Sequence, residues 1–416
     1  MRKLHILEVN KFYAPHIGGI ETVVRQRTQY LASRPDAEVH VLVCQPKGAG
    51  ESELLDGAEI IRCGSIGTWC SCPVAPGFFR AFRQQTTWAD VIDIHMPFPP
   101  ADLACMLSGF GGRVVLNWHS DVLRQKRLLR LYEPVLDRLL QRADVILAAT
   151  PGHVESSAYL PEFREKCRIL PYPLAAGDYP DKPGRSVLQP ENPASIRLLF
   201  AGRLVYYKGV EYLIEAMRQV QGCELFICGT GPLEPALRQS AAGLPVHFLG
   251  SPDGETFRDA LAGCDILVLP SVRRAEAFGI VQQEAMACGK PVINTALPGG
   301  VPYVSVHGET GLTVPPGSAE ALAEAIGQLA GDPALRRRFG ENGRRRVREV
   351  YAPERIYPEL WELLRGENNY GRNGHRSSRI SGGANPAAAH CCGGMPHSGS
   401  DAAGAHRDRR LRGQGA

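Results

Sequence analysis

Glu276 and Glu284 stand eight residues apart in Glu276-Ala-Phe-Gly-Ile-Val-Gln-Gln-Glu284, and Arg203 and Lys208 share the run Gly202-Arg-Leu-Val-Tyr-Tyr-Lys-Gly209. Two carboxylates that can accept from sugar hydroxyls, together with two cations that can meet phosphate oxygens, are the groups a nucleotide-sugar requires. Arg203 offers a planar fork of donors and Lys208 a point charge, while the flanking glycines let backbone approach a ligand closely. The order Gly-x4-Gly-Lys-Ser/Thr is missing here, so this is not a Walker loop. Each pair also has a plainer account: an acid-rich helix start with Glu284 in a salt bridge, and two solvated cations.

The surrounding elements decide between these accounts. Ile196–Ala201 is an apolar run that reads as a strand; the two cations follow it, and an amphipathic helix is expected from Val210 to Gln219. Placement of cations at the carboxyl end of a strand suits a phosphate. Asp265-Ile-Leu-Val-Leu-Pro270 reads as a second buried parallel strand, after which Phe278-Gly279 opens a helix that runs to Cys288 and stops at Gly289. The amides of Gly279, Ile280 and Val281 then lie at the positive end of that helix, where a diphosphate is stabilised. Glu284 sits inside the helix, about 6–8 Å from such a phosphate at the usual rise per residue. Glu276 sits in the loop on the other side, so one carboxylate can hold the ribose and the other the transferred sugar. Gly299-Gly300-Val-Pro302 and the stretch Gly308–Gly317 add glycine turns that can bring amides toward a ligand. In the first half, Gly18-Gly19 forms a tight turn between the opening strand and a helix running through about Leu31, and its amides can face a phosphate. It is not Gly-x-Gly-x2-Gly, which disfavours a dinucleotide cofactor. His119 follows a strand at its carboxyl end; His16 is a candidate by proximity alone, and His5, His40 and His95 read as strand residues.

Gly-Arg-Leu-x3-Lys-Gly, Glu-x-Phe-Gly-x4-Glu and Gly-Gly-x-Pro, in this order and at these intervals, resemble the retaining glycosyltransferases of family 4 with the GT-B fold, over roughly residues 4–364. The resemblance implies an α/β protein of two Rossmann-like doubly wound domains facing a cleft. It implies a nucleotide-sugar substrate, retention at the anomeric carbon and a catalytic set of Glu276, His119, Arg203 and Lys208. Gly18, Gly19, Arg203, Lys208, Phe278, Gly279, Ile280, Val281 and Glu284 would bind the donor. In this scheme His119 touches the donor sugar and Gly18-Gly19 reaches the diphosphate or the acceptor from across the cleft. No Asp-x-Asp-like motif accompanies the phosphate site, so no metal or other cofactor is expected. The run Gly300–Gly311 is similar to bacterial enzymes that transfer mannose or rhamnose from GDP-sugars in surface polysaccharide and lipopolysaccharide assembly, which implies a polyprenyl-linked or oligosaccharide acceptor. Tyr303 departs from the pattern, since many members carry an acidic residue after Gly-Gly-x-Pro. A UDP-sugar donor, a sugar-nucleotide epimerase of the same fold and a non-catalytic sugar-nucleotide-binding protein are the alternatives.

Composition sets outer limits. The 416 residues are 44% hydrophobic, room for two or three domains with sizeable cores, and the net charge is only +4. The tail from Glu367 carries seven arginines against three acids and so supplies that excess, leaving a neutral body that argues against nucleic-acid binding. No apolar run reaches membrane-spanning length and the first strand is not a signal-peptide core, so the expectation is a cytoplasmic protein. Basic residues and leucines between Asp121 and Arg142 form a helix that either lies on an anionic membrane, placing the protein at its inner face, or covers a domain core; Pro134 complicates a continuous helix. The arginines of Arg336–Arg348 carry the same two readings. The cysteines read as small hydrophobes rather than as disulfides or a zinc site.

Strand and helix signals alternate in two blocks. These set a first domain at 1–180, a second at 195–350 and a linker from Pro171 to Pro193; the resemblance implies that the first is the acceptor domain and the second the donor domain, and that a last helix at 353–364 returns to the first. Ala89-Asp-Val-Ile, Ala143-Asp-Val-Ile and Cys264-Asp-Ile-Leu echo one another, each with an Asp before an apolar strand. The segment 367–416 has no Val, Phe or Trp; disorder is expected there, and its composition is similar to an out-of-frame translation of GC-rich sequence.

Overall fold

The computed structural model describes residues 2–16, 18–69, 72–121 and 126–367. The expectation for the tail at 367–416 therefore falls almost wholly outside the described residues. Up to Asn368 the chain forms one compact unit built on two sheets.

The first sheet contains β1 (Leu4–Val9), β2 (Ala37–Cys44), β3 (Glu51–Leu55), β4 (Ala58–Cys63), β7 (Val91–Met96), β8 (Arg113–Trp118), β9 (Val145–Ala148) and β10 (Cys167–Ile169), in the order β10-β9-β8-β7-β1-β2-β4-β3. A separate two-stranded hairpin joins β5 (Thr68–Trp69) and β6 (Cys72–Pro73). Every pairing in the large sheet is parallel except β3 with β4. The central strands are buried on both faces, as a parallel sheet covered by helices requires. The second sheet is wholly parallel: β11 (Ile196–Ala201), β12 (Cys223–Cys228), β13 (Val246–Gly250), β14 (Ile266–Val268), β15 (Val292–Thr295) and β16 (Gly311–Val314), in the order β13-β12-β11-β14-β15-β16. Both orders reverse beside their first strand, and at such a switch point a crevice opens outside the carboxyl ends of the strands.

The echo of Asp before an apolar strand has one physical cause in three places. Asp90, Asp144 and Asp265 each accept, through a carboxylate oxygen, from the amide of the second residue of the neighbouring strand: His5 at 3.0 Å, Val114 at 2.8 Å and Arg197 at 2.8 Å. Each also donates its own amide to that residue's carbonyl at 2.8–2.9 Å. The pair of bonds sets the register where two parallel strands begin.

The strands missed by sequence reasoning lie at edges. β3 is Glu-Ser-Glu-Leu-Leu and almost fully exposed, so it carries no apolar signal. Gly308–Gly317 was expected to be turns aimed at a ligand; instead Gly311 opens β16, where a Cβ would collide with the Val292 carbonyl. The helix Lys126–Arg142 is continuous with Pro134 inside it, and Leu136, Leu139 and Leu140 are buried in the first core. The expected linker is packed rather than free: Leu174 and Leu188 are buried, and the Leu174 amide donates to the Tyr351 carbonyl. The last helix, Pro353–Arg365, buries Ile356, Leu360, Trp361, Leu363 and Leu364 in the core beneath β1 and β2. Among the described residues no helix is long and apolar enough to cross a membrane, and no cysteine is in a disulfide.

Candidate active site

The helix expected at Phe278–Cys288 spans Ile280–Ala287. Gly279 caps it with φ +74°, and a Cβ there would lie 2.6 Å from Leu269 Cδ2, so both conformation and space demand glycine. Gly289 closes it with φ +71°. Among the described residues nothing accepts from the amides of Gly279, Ile280 and Val281, which leaves three donors at the positive helix end. Gln282 fixes this end in place. Its Nε2 donates to the Phe278 carbonyl at 3.0 Å, and its Oε1 accepts from Asn294 Nδ2 at 2.8 Å. Asn294 also donates to the carbonyls of Val301 and Ser305, tying the helix start to the Gly-Gly-x-Pro turn.

Beside the helix, Lys208 Nζ lies 2.6 Å from Glu276 Oε2, and both side chains are nearly buried. Ser271 Oγ donates to the same oxygen at 2.9 Å, and the Ser271 carbonyl accepts from Thr295 Oγ1. Sequence spacing placed Lys208 with the phosphate and Glu276 with the sugar; the fold brings them into direct contact. Gly202 makes room for this, since a Cβ on it would sit 3.2 Å from Lys208 Nζ. Arg203 is exposed, and its side chain makes no hydrogen bond or ion pair among the described residues. The helix after it is shorter than expected, Val210–Ala216.

Among the described residues Glu284 has no salt-bridge partner. Its Oε1 accepts from the Tyr179 hydroxyl at 2.9 Å, and burial raises its pKa while that hydrogen bond pulls it back. Phe278 packs tilted against Tyr172 and edge-on to Tyr351 in the core, so only its backbone is available to a ligand. Tyr303 turns away from the turn to lie under the Arg346 guanidinium, with its carbonyl accepting from Arg346.

Across the cleft, Gly18 caps the helix Gly19–Ala32 in an extended conformation, and a Cβ on Gly19 would be 3.6 Å from Ile280 Cδ1. The turn from the first half thus touches the first residue of the helix from the second. His119 is 4% exposed with both ring nitrogens engaged: Nε2 with His95 Nδ1 at 2.9 Å and Nδ1 with the Tyr172 hydroxyl at 2.5 Å. Burial, with Arg27 adding to it, pushes its pKa down to about 3, so the imidazole is neutral. It is held as part of a buried polar network rather than presented as a free side chain. His16 is exposed and lies against Phe12. Glu8, Asp93 and His95 are close enough to hold a metal ion, but Arg27 already lies there, with Nη2 at 2.5 Å from Asp93 and Nε at 3.8 Å from Glu8. The cation these carboxylates face is a guanidinium, and the group does not suit a metal.

The two halves meet again beside the loop that carries Glu276. Arg274, two residues before Glu276, donates to the Ser156 carbonyl and lies 3.8 Å from Asp121 Oδ2. Asp121 is itself held by Trp118 Nε1 and Ser157 Oγ. His153 packs against Gly300, and Gly152 against the Gly299 carbonyl.

Residues 18–173 match the family described as Glycosyl transferase 4-like domain, and residues 188–346 match Glycosyl transferases group 1. The chain is 34% identical to the D-rhamnosyltransferase WbpZ of Pseudomonas aeruginosa, over 84% of this chain and 92% of that protein. This chain is a family 4 glycosyltransferase. It is also 31% identical to the O-antigen chain mannosyltransferase C of Escherichia coli, over 88% of this chain and 99% of the relative. Among solved structures the glycosyltransferase superposes on sucrose-phosphate synthase from Thermosynechococcus elongatus with a TM-score of 0.74 at 24% identity, over 88% of this chain and 99% of that one. It superposes on WaaG, a glycosyltransferase involved in lipopolysaccharide biosynthesis, with 0.63 at 18%, over 87% and 100%. The fold is GT-B, and the enzyme is a hexosyltransferase related to bacterial rhamnosyl- and mannosyltransferases.

Sequence reasoning missed Tyr172, Tyr179, Gln282, Asn294 and Arg274. The two tyrosines stood in a segment taken for a linker. Gln282 and Asn294 were legible only as polar residues inside apolar runs.

Proposed function

We propose that this glycosyltransferase moves mannose or rhamnose, with retention, from a GDP-sugar to a polyprenyl-linked or oligosaccharide acceptor in cell-surface polysaccharide or lipopolysaccharide synthesis. The Lys208–Glu276 contact at 2.6 Å, beside three free helix amides, carries this reading. In a nucleotide-sugar the scissile bond joins the anomeric carbon to a phosphate oxygen. A carboxylate and an ammonium in contact suit that junction: Glu276 opposes positive charge growing on the carbon, and Lys208 meets negative charge growing on the leaving oxygen. The amides of Gly279, Ile280 and Val281, with Arg203 at the rim, take the rest of the diphosphate. Glu284 accepts from the ribose. The glutamates serve opposite ends of the donor and are not a glycosidase pair. We assign no metal to this site. Closure of Gly18-Gly19 onto the donor excludes water and favours transfer over hydrolysis. Identity to the rhamnosyl- and mannosyltransferases above favours the sugar, and the similarity of Gly300–Gly311 to enzymes that use GDP-sugars favours the donor. The basic start of the helix Lys126–Arg142 favours an acceptor at the inner face of an anionic membrane.

The test is a thermal-shift panel of GDP, UDP, ADP and TDP. A nucleotide at 100 times its dissociation constant adds about 2.7 kcal/mol of stability. Selective stabilisation by GDP is the expected result. A UDP response would overturn the donor assignment but leave the mechanism, and silence from all four would overturn the enzymatic reading of the site.

A further inference from the structure

The segment between the halves does more than connect them. Tyr179 lies in this segment, yet its hydroxyl reaches Glu284 Oε1 at 2.9 Å. Glu284 Oε2 makes no hydrogen bond among the described residues and is not an enclosed orphan atom, so it is open to a ligand. A carboxylate able to rotate freely accepts from a ribose diol in many geometries, most of them unproductive; one oxygen pinned by a phenol leaves the other aimed in a single direction. Tyr179 is locked in turn. The segment around it is anchored to the second half by Gln283 Nε2 donating to the Tyr172 carbonyl at 3.0 Å, by the Leu174 amide on the Tyr351 carbonyl at 2.8 Å, and by Asp181 with Arg344 at 2.7 Å. Gln283 and Glu284 are adjacent on the donor helix and both are gripped by this one segment.

We propose that Tyr179 is a positioning residue for donor recognition, which holds the Glu284 carboxylate in the orientation that accepts from the two ribose hydroxyls. The inference rests on the reading of Glu284 as the ribose ligand and adds a residue that acts through it without touching the substrate. The hydrogen bond also favours the ionised form of Glu284, which has no proton to donate and accepts through both oxygens, because burial raises its pKa and the Tyr179 hydroxyl opposes that rise. Selectivity for a ribonucleotide over its deoxy counterpart is then set partly by a tyrosine outside the donor helix.

The experiment measures dissociation constants of GDP and of 2′,3′-dideoxy-GDP for the wild type, Tyr179→Phe and Glu284→Gln, or of the UDP pair should UDP be the nucleotide that stabilises the wild type. Phe keeps the ring and removes only the hydroxyl, and the melting temperature of each variant confirms that it is folded. The expected result is about a tenfold loss of affinity for the ribonucleotide in Tyr179→Phe, equivalent to about 1.4 kcal/mol, with dideoxy-nucleotide affinity unchanged. Equal loss for both nucleotides would mean a merely structural tyrosine and would overturn the proposal, as would no loss for either. If Glu284→Gln fails to reduce the preference for the ribonucleotide, the reading of Glu284 falls and this inference with it. If Glu284→Gln reduces the preference while Tyr179→Phe leaves it intact, the inference about Tyr179 falls alone.

Discussion

At the scale of single residues, the contact between Lys208 and Glu276 alters what substitution of either should do. Glu276→Ala removes the group opposing charge at the anomeric carbon, but it also frees the Lys208 ammonium from its partner. Transfer should be abolished while affinity for the nucleoside diphosphate is retained or tightened, measured by transfer assay and calorimetry on the same preparation; weaker nucleotide binding would overturn the role given to Glu276. Arg203→Ala, removing an exposed fork with no partner of its own, should weaken nucleotide binding and transfer together and leave the melting temperature unchanged. His119 gives a pH prediction. Its pKa is pushed down to about 3 in the folded protein, so between there and the ordinary value near 6.5 the unfolded chain binds more protons. The stability this group contributes is complete above about 6.5 and lost as pH falls, by up to about 1.4 kcal/mol per pH unit. Glu8, which burial pushes up to about 7, acts in the opposite sense, but it is present in both proteins compared. His119→Asn should therefore show a shallower loss of melting temperature between pH 6.5 and pH 4 than the wild type; parallel curves would show that His119 titrates normally.

At the scale of elements, the helix Ile280–Ala287 depends on Gly279 and on the side-chain amides of Gln282 and Asn294. Gly279→Ala forces a side chain into φ +74° and against Leu269, so it should cost about 1–3 kcal/mol of stability and also weaken nucleotide binding. Circular dichroism melts and the nucleotide thermal shift would check both, and an unchanged melt would mean that the turn relaxes. The last helix belongs physically to the first half, because Leu364 is fully buried there. Leu364→Ala should cost about 2–5 kcal/mol, read from denaturant unfolding. How much of an element could be read from sequence followed its burial. β1, β8 and β11 have apolar runs with clear stops, the helix Ile280–Ala287 is bounded by Gly279 and Gly289, and all four lie where those signals predict. β3, β10 and β16 are edge or short strands whose pairing depends on a neighbour rather than on their own pattern, so no period marked them.

At the scale of the whole molecule, the contact of Arg274 with Ser156 and Asp121 joins the loop that carries Glu276 to the opposite half. Arg274→Ala should loosen this closure: small-angle scattering should show a larger radius of gyration, and donor hydrolysis should rise relative to transfer. Unchanged scattering would show that the Gly152–Gly299 and His153–Gly300 contacts suffice. Truncation after Gly366 should leave melting temperature and activity intact; loss of activity would give the last fifty residues a role.

The sequence by itself determined the α/β alternation, the two-sheet GT-B fold, the family and the residue types of the site. The alternation and the residue types follow from local physics, namely apolar runs, glycines at forced conformations and cations at strand ends, while the fold and the family were legible through the resemblance of three motifs in their order and spacing. Which groups touch was decided only by the tertiary structure. Lys208 meets Glu276, Tyr179 meets Glu284, and both nitrogens of His119 are occupied, because each contact joins segments far apart in the chain. Spacing along a chain records turns and faces; it holds no record of which distant segments pack together, and the direct partners at this site are set by that packing.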